Sequence, residues 1–480
     1  MRMANNAPSN LTCRMEQGKI LPLVIRLTLP AVAAQLITFL YNVVDRMYVA
    51  RIPGAGMDAL AALGIVLPIT LMIQAFANLV GLGSAPRAGI KLGEGDPAEA
   101  NRIFNTAFLL LLLLGLILGA GTFCFSRQIV RLFGCPDSAV AYADGYLKIY
   151  ACGTVFVMMA QGLNPLILTQ GESLTAMGTV LLGAVINIAL DPLLIFTFRM
   201  GVAGSGLATV LSQACSCAAV TAFFFTRRSL FRLNRREMRF QAARVRAILS
   251  LGVTPFVMTL TECAIQIVFN VNLNRATGGD KDYTAALTVM LSALQLISLP
   301  LNGMGNGMQP FVSYLYGKGD AIRLKKGIRC VTVLAFLFGC SIWTVSMAAP
   351  ELYASLFSAS ETVTKIVRDN GPLFLMGSIL FFVQMTLQNV NVGLGQAGMA
   401  LSLAVNRKVI VLIPLCFLMT EVMGWRGVYL SEGIADLAAG LVTAAVIFIR
   451  LPKIIRARAE AVQKTIAQNC SGSLADASRH

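Results

Sequence analysis

The chain has a single histidine in 480 residues, His480 at its end, and only 13% of its residues are charged. With no imidazole in its body, any side chain that takes up and releases a proton within the membrane must be a carboxylate. There is no His-Glu-x-x-His, no Gly-x-Ser-x-Gly and no Gly-x-x-x-x-Gly-Lys-Ser/Thr, so a membrane-embedded enzyme finds no recognisable catalytic carrier, and no cofactor is expected. Acids are scarce, 23 against 39 Lys and Arg. The eleven cysteines fall almost entirely within apolar stretches, with only Cys135 in an expected external loop, which argues against a disulfide framework. Cys215 and Cys217 flank Ser216 at a spacing that does not share a helix face, which argues against a metal pair. The polar first twenty residues lack the apolar core of a cleavable signal peptide, so the first long helix is expected to act as the membrane anchor.

What the chain has is apolar length. Hydrophobic residues make up 56% of it and mean hydropathy is +0.71, outside the balance of a soluble domain. Apolar stretches of about 20 residues or more, separated by short polar hinges, suit helices across a hydrocarbon core about 30 Å thick. Twelve spans are expected: near 21–50, 60–90, 105–125, 146–169, 177–198 and 202–226, then near 248–274, 284–316, 331–349, 374–394, 400–423 and 428–449. The fold class is therefore an all-α integral membrane protein.

The chain also repeats itself at an offset of about 224 residues. Gly81-Leu82-Gly83-Ser84-Ala85-Pro86 and Gly93-Glu94-Gly95-Asp96 align with Gly305-Asn306-Gly307-Met308-Gln309-Pro310 and Gly317-Lys318-Gly319-Asp320. Pro30 pairs with Pro255, Pro192 with Pro414, and Gly201-Val202-Ala203-Gly204 with Gly424-Trp425-Arg426-Gly427. Six helices per repeat return the chain to its starting side. Two six-helix bundles, related by a pseudo-two-fold axis along the membrane normal, should therefore enclose a central cavity exposed alternately to each side. The expected division is an amino-terminal lobe at 1–226, a basic linker at 227–247, a carboxy-terminal lobe at 248–450 and a tail at 451–480. Pro30 and Pro255 remove a backbone hydrogen bond from the first helix of each repeat and are the candidate hinges; a static kink is the alternative reading.

The basic excess sets orientation. With both termini in the cytoplasm, most Lys and Arg fall on that side, as the positive-inside rule requires of a multi-pass plasma membrane protein. That bias accounts for the +16 net charge without a nucleic-acid partner. The densest cluster, Arg227-Arg228 through Arg246, reads as a cytoplasmic linker, with anionic lipid headgroups as the alternative partner. No obligate protein partner is evident.

Three polar residues within these spans call for a function. A carboxylate at the bilayer centre costs about 2.5–3.5 kcal/mol even on the insertion scale, yet Asp45 and Asp191 are retained, and Asn187 lies four residues before Asp191 on the same helix face. Asp45 corresponds to Asn270 of the second repeat, Asn187 and Asp191 to Val409 and Ile413, and Thr209 to Glu432. The amino-terminal half thus reads as carrying an acidic constellation that its copy lacks. With the termini inside, Asp45, Asp191 and Thr209 all fall roughly 8–11 Å below the outer surface. Asp45, Asn187, Asp191 and Thr209 are therefore the candidate ion-coupling set: their oxygens suit Na⁺, and neighbouring carboxylates can share a proton. Asp45 paired with Arg46 or capping a helix, and Asp191 bonded locally near Pro192, are the structural alternatives.

The end of the first helix at Val44-Asp45, the run Asn187-Ile188-Ala189-Leu190-Asp191-Pro192-Leu193-Leu194-Ile195-Phe196, and Gly201-Val202-Ala203-Gly204-Ser205-Gly206-Leu207-Ala208-Thr209 resemble the multidrug and toxic compound extrusion (MATE) family over nearly the whole chain. The resemblance implies a twelve-helix antiporter that exports small organic compounds, often cationic, in exchange for H⁺ or Na⁺, with the amino-lobe cation site on Asp45, Asn187, Asp191 and Thr209. It further implies that Asn164 faces the cavity and that Glu262 is the helix 7 acid of some members. Gln161, Asn270 and Gln384 complete the cavity candidates. The tenth helix departs from those members, supplying Gln384, Gln388, Asn389 and Asn391 but no acid. A lipid-linked precursor flippase of the wider superfamily is the alternative; its anionic cargo would call for cationic side chains, and the spans read as holding hardly any besides Arg46.

Overall fold

The computed structural model describes residues 15–52, 56–135, 137–356 and 360–477. Helix is the only regular structure among them. In chain order the helices are α1 (Ile20–Ala50), α2 (Gly56–Gly93), α3 (Pro97–Leu132), α4 (Asp137–Thr169), α5 (Ser173–Pro192), α6 (Val202–Phe225), α7 (Ala242–Thr277), α8 (Lys281–Lys318), α9 (Ala321–Ala348), the short α10 (Glu351–Leu356), α11 (Glu361–Leu375), α12 (Ser378–Gly393), α13 (Ala397–Val405), α14 (Ile413–Met423) and α15 (Trp425–Ala477). π-helical turns follow α5 at Leu193–Thr197 and join α13 to α14 at Asn406–Leu412.

Eleven of these helical stretches are long and apolar enough to cross a bilayer; α11 and α12, bent by 54° at their junction, make the twelfth if they are one span. The tenth expected span, 374–394, falls on α12 and the bend before it; α11 precedes it, capped by the Ser360 hydroxyl, which accepts the Val363 N–H at 3.3 Å. In hydrocarbon every backbone polar group must be satisfied within the segment, which leaves helix as the solution for such runs. Large apolar side chains stay on the outside of the helices, Ile117 at 65% exposure and Phe448 at 82%. That is the arrangement expected where the surrounding solvent is lipid.

The chain forms two compact units that depart from its two halves. One comprises 29–88 and 98–263, the other 1–28, 89–97 and 264–480. A division at 226 or 248 would place the start of α1 with the amino-terminal helices. Instead Leu23, Val24 and Leu27 are buried in a cluster with Met308, Phe311, Leu315 and Ile447. The start of α7 is exchanged in the same sense: Phe256 packs its ring on Phe76 of α2, centroids 4.9 Å apart. In α1 the chain changes unit between Thr28 and Leu29, beside Pro30; in α7 it does so between Cys263 and Ala264, well after Pro255.

Within the first unit, the segment after α6 is held down rather than left as a free tether. Asn105 donates to the Arg232 carbonyl at 3.0 Å and accepts from the Asn234 N–H at 2.9 Å, while Asn101 accepts from the Arg232 N–H at 2.7 Å. Gln170 accepts from both Ser229 and the Leu230 N–H.

Within the second unit, the repeat has a physical cause. A Cβ on Gly93 would strike the Tyr314 carbonyl, and one on Gly317 would strike the Ile90 carbonyl. The contact is reciprocal, with each glycine of one repeat facing the matching turn of the other. The helices then terminate alike, at Gly95 with φ 80° and Gly319 with φ 81°, a left-handed conformation in which a side chain is strained. The described cysteines are free thiols.

Candidate functional site

The site is assembled by the end of α1 and by α4, α5 and α6, and its residues all lie within the first unit. Pro192 cannot donate to the helical ladder, and the wider turn at Leu193–Thr197 takes up the break directly after Asp191. Arg199 at φ 54° and Gly201 at φ 56° then reverse the chain. This tight return lays Ser205 and Thr209 of α6 beside the end of α5.

Asp45 and Asp191 face one another within hydrogen-bonding reach. Asp191 is fully buried and Asn187 is 2% exposed. Neither oxygen of Asp191, and neither polar atom of the Asn187 side chain, has a hydrogen-bond partner among the described residues. Two ionised carboxylates contain no donor, so the Asp45–Asp191 contact becomes a hydrogen bond only when one of them carries a proton. Asp45 is additionally held by Ser205, whose hydroxyl donates to its Oδ1 at 2.7 Å. Thr209 and the Tyr146 hydroxyl hydrogen-bond each other, and Asp45 and Asp191 are both charged neighbours of Tyr146.

The predicted ion set is thus brought to one place. Asp45 and Asp191 are in contact, Asn187 lies one helical turn from Asp191, and Thr209 joins through Tyr146. Sequence reasoning missed Ser205 and Tyr146. Ser205 lies four residues before Thr209, on the same face of α6, and that spacing was the available signal.

The cavity candidates divide between the two units. Asn164 spends its amide on the Ala176 carbonyl at 3.0 Å and the Thr179 hydroxyl at 2.9 Å, bracing α4 on α5. Gln161 is half-buried on α4 and Glu262 exposed on α7, both in the first unit. Asn270 is exposed on α7 and Gln384 buried on α12, both in the second. The Arg46 side chain and His480 lie outside the described residues.

Two readings require correction: that the second half lacks an acidic constellation, and that the spans hold hardly any cation besides Arg46. Arg407, Lys408, Glu432 and Asp436 are each less than 5% exposed. Arg407 Nε donates to Asp436 Oδ1 at 2.7 Å and Nη2 donates to Glu432 Oε1 at 2.8 Å. Both cations are readable in the sequence inside the 400–423 span, so the count of cationic residues within spans was too low.

Long apolar helices around a carboxylate pair, Asp191 buried and Asp45 half-buried, are what a multi-pass membrane transporter requires. The family model MatE matches residues 30–193 and 255–418, one copy per repeat and each beginning at one of the paired prolines. The chain belongs to this family of multidrug efflux transporters, whose members are not enzymes. It is 26% identical over 425 residues to the multidrug export protein MepA of Staphylococcus haemolyticus strain JCSC1435, covering 88% of this chain and 92% of that one. To MepA of Staphylococcus aureus strain NCTC 8325 / PS 47 it is 22% identical over 438 residues, covering 90% and 95%. Among solved structures, an outward-facing multidrug resistance MATE transporter of the MOP superfamily superposes with a TM-score of 0.84 at 21% identity, over 95% of this chain and 99% of that one. A MOP superfamily transporter from Pyrococcus furiosus Vc1 gives 0.85 at 21% identity over the same shares. These neighbours share the two-lobed, all-helical fold.

Proposed function

We propose that the protein is a secondary antiporter of the plasma membrane, with both termini in the cytoplasm, that exports small organic compounds, often cationic, in exchange for H⁺ or Na⁺ by alternating access. The observation that carries this reading is the Asp45–Asp191 contact beside unpartnered Asn187. Two unit charges 4 Å apart repel by about 4 kcal/mol at an effective dielectric of 20. A proton or Na⁺ relieves that repulsion, and the carboxylate, amide and hydroxyl oxygens around it suit a hard monovalent cation. The cargo class is supported by the two multidrug export relatives.

Coupling needs a part that responds to the ion and reaches beyond its site. Helix α1 qualifies, because Asp45 lies at one end while its first turns belong to the other compact unit, and Pro30 stands beside the crossover. An ion that binds one arrangement of α1 more tightly than another shifts the equilibrium between them by that difference. Purified protein in vesicles, with an Na⁺ gradient and a pH gradient imposed separately, tests the reading. Uphill efflux of an organic cation under one gradient is expected; efflux that ignores both, or that only runs downhill, would make the protein a passive channel.

A further inference from the structure

The carboxy-terminal helix pair holds a second buried charge cluster, and it is built differently from the first. Glu432 stands at the repeat position of Thr209, and Asp436 follows one turn later on α15. The π turn between α13 and α14 brings Arg407 and Lys408 inward, and the Arg407 guanidinium lies over the Phe381 ring of α12, 3.9 Å from its centroid. A carboxylate pair thus stands in each half of the chain, and here both members are buried and a guanidinium bridges them.

We infer that the Arg407 guanidinium is a tethered counter-ion occupying the cation site of the carboxy-terminal helices, so that removing it turns Glu432 and Asp436 into a site for a free monovalent cation, Na⁺ or a proton. The geometry carries the inference: Nη2 of one guanidinium contacts both carboxylates and its Nε donates to Asp436 as well, in ion pairs whose side chains are 5% exposed or less. A buried carboxylate pair stripped of its cation must recruit another or take up a proton. Among the described residues the ionisable groups here include Arg407 and Lys408 on the π turn, Glu432 and Asp436 on α15, and Cys416 on α14, for which Glu432 is a charged neighbour. Lys408 adjoins Arg407, so the test removes both cations. The consequence for transport is that ion coupling is confined to the amino-terminal site; this clause alone rests on the antiport reading.

The test uses full-length protein in detergent, in a D45N/D191N background that silences the first site, so that failure here is distinct from failure of the antiport reading. Thermal unfolding is followed against NaCl at constant ionic strength with choline chloride, and against pH from 5 to 8. The background protein is expected to be flat. Adding R407M/K408M should lower Tm, and Na⁺ or acid should restore it by about 3–10 °C at a hundredfold excess over Kd, with Tm falling as pH rises. Adding E432Q/D436N to that variant should abolish the response. A folded R407M/K408M protein whose Tm ignores both Na⁺ and pH overturns the inference. If that variant cannot be recovered, R407M/K408M/D436N replaces it with a single carboxylate; a Tm that falls with rising pH supports the inference and a flat profile overturns it.

Discussion

Asp191→Asn is the most direct perturbation of the proposed coupling site. The amide keeps the shape of the fully buried carboxyl while removing one of the two facing charges, so the helices should still assemble. In the parent a cation is drawn to both carboxylates and also ends their mutual repulsion. At an effective dielectric of 20 a charge pair 4 Å apart is worth about 4 kcal/mol, or on the order of a thousandfold in a binding constant. Imperfect geometry reduces this, so a loss of about 10²–10³ in apparent ion affinity is expected. In vesicles the variant should lose gradient-driven efflux of a fluorescent organic cation at least about tenfold. The purified protein should unfold at a temperature indifferent to Na⁺ and pH over the range where the parent responds, once the parent's carboxy-terminal cluster is shown to be flat. Normal efflux with unchanged ion dependence in D191N would remove the Asp45–Asp191 contact from the mechanism.

Three further outcomes are expected. Ser205→Ala deletes the 2.7 Å hydrogen bond to Asp45, a charged bond worth about 1.5–3 kcal/mol, and should lower gradient-driven efflux by about tenfold without loss of inserted protein; unaltered ion dependence would exclude Ser205 from the site. Glu16 is held below the ordinary glutamate value of 4.5, first by its bond to Lys318 and then by the Tyr314 hydroxyl. Its contribution to stability is present in full above that value and lost as pH falls through its lowered one, so Glu16→Gln should unfold slightly earlier than the parent at pH 7, and the gap should begin to shrink below 4.5 and close once pH has passed the lowered value; a gap undiminished by acid would contradict the ion pair. Gly317→Ala drives a methyl into the Ile90 carbonyl and should cost about 1–3 kcal/mol or more, read as a lowered Tm, with Gly93→Ala matching it because the contact is reciprocal.

Much of the architecture was legible in residue order. Length and apolarity specify spans locally, so 21–50 was recovered as Ile20–Ala50 and 400–423 as Ala397–Met423. Asp45, Asn187 and Asp191 stood out because polar groups in hydrocarbon are costly and therefore rare. Ser205 and Tyr146 did not, because hydroxyl and aromatic side chains are tolerated in membrane helices wherever they point. That the compact units divide α1 after Thr28 and α7 after Cys263 was not legible, since a crossover within an unbroken apolar helix has no compositional mark.

The sequence alone determined that this is a duplicated, helical, membrane-spanning chain with carboxylates in its first half, because helix periodicity, bilayer thickness and the cost of buried charge act on local stretches of residues. Only the tertiary structure decided that Asp45 meets Asp191, that Arg407 bridges Glu432 and Asp436, and which unit each end of α1 joins. Those outcomes depend on side chains far apart in the chain arriving within a few ångströms of one another, and Coulomb and hydrogen-bond energies are set by that separation.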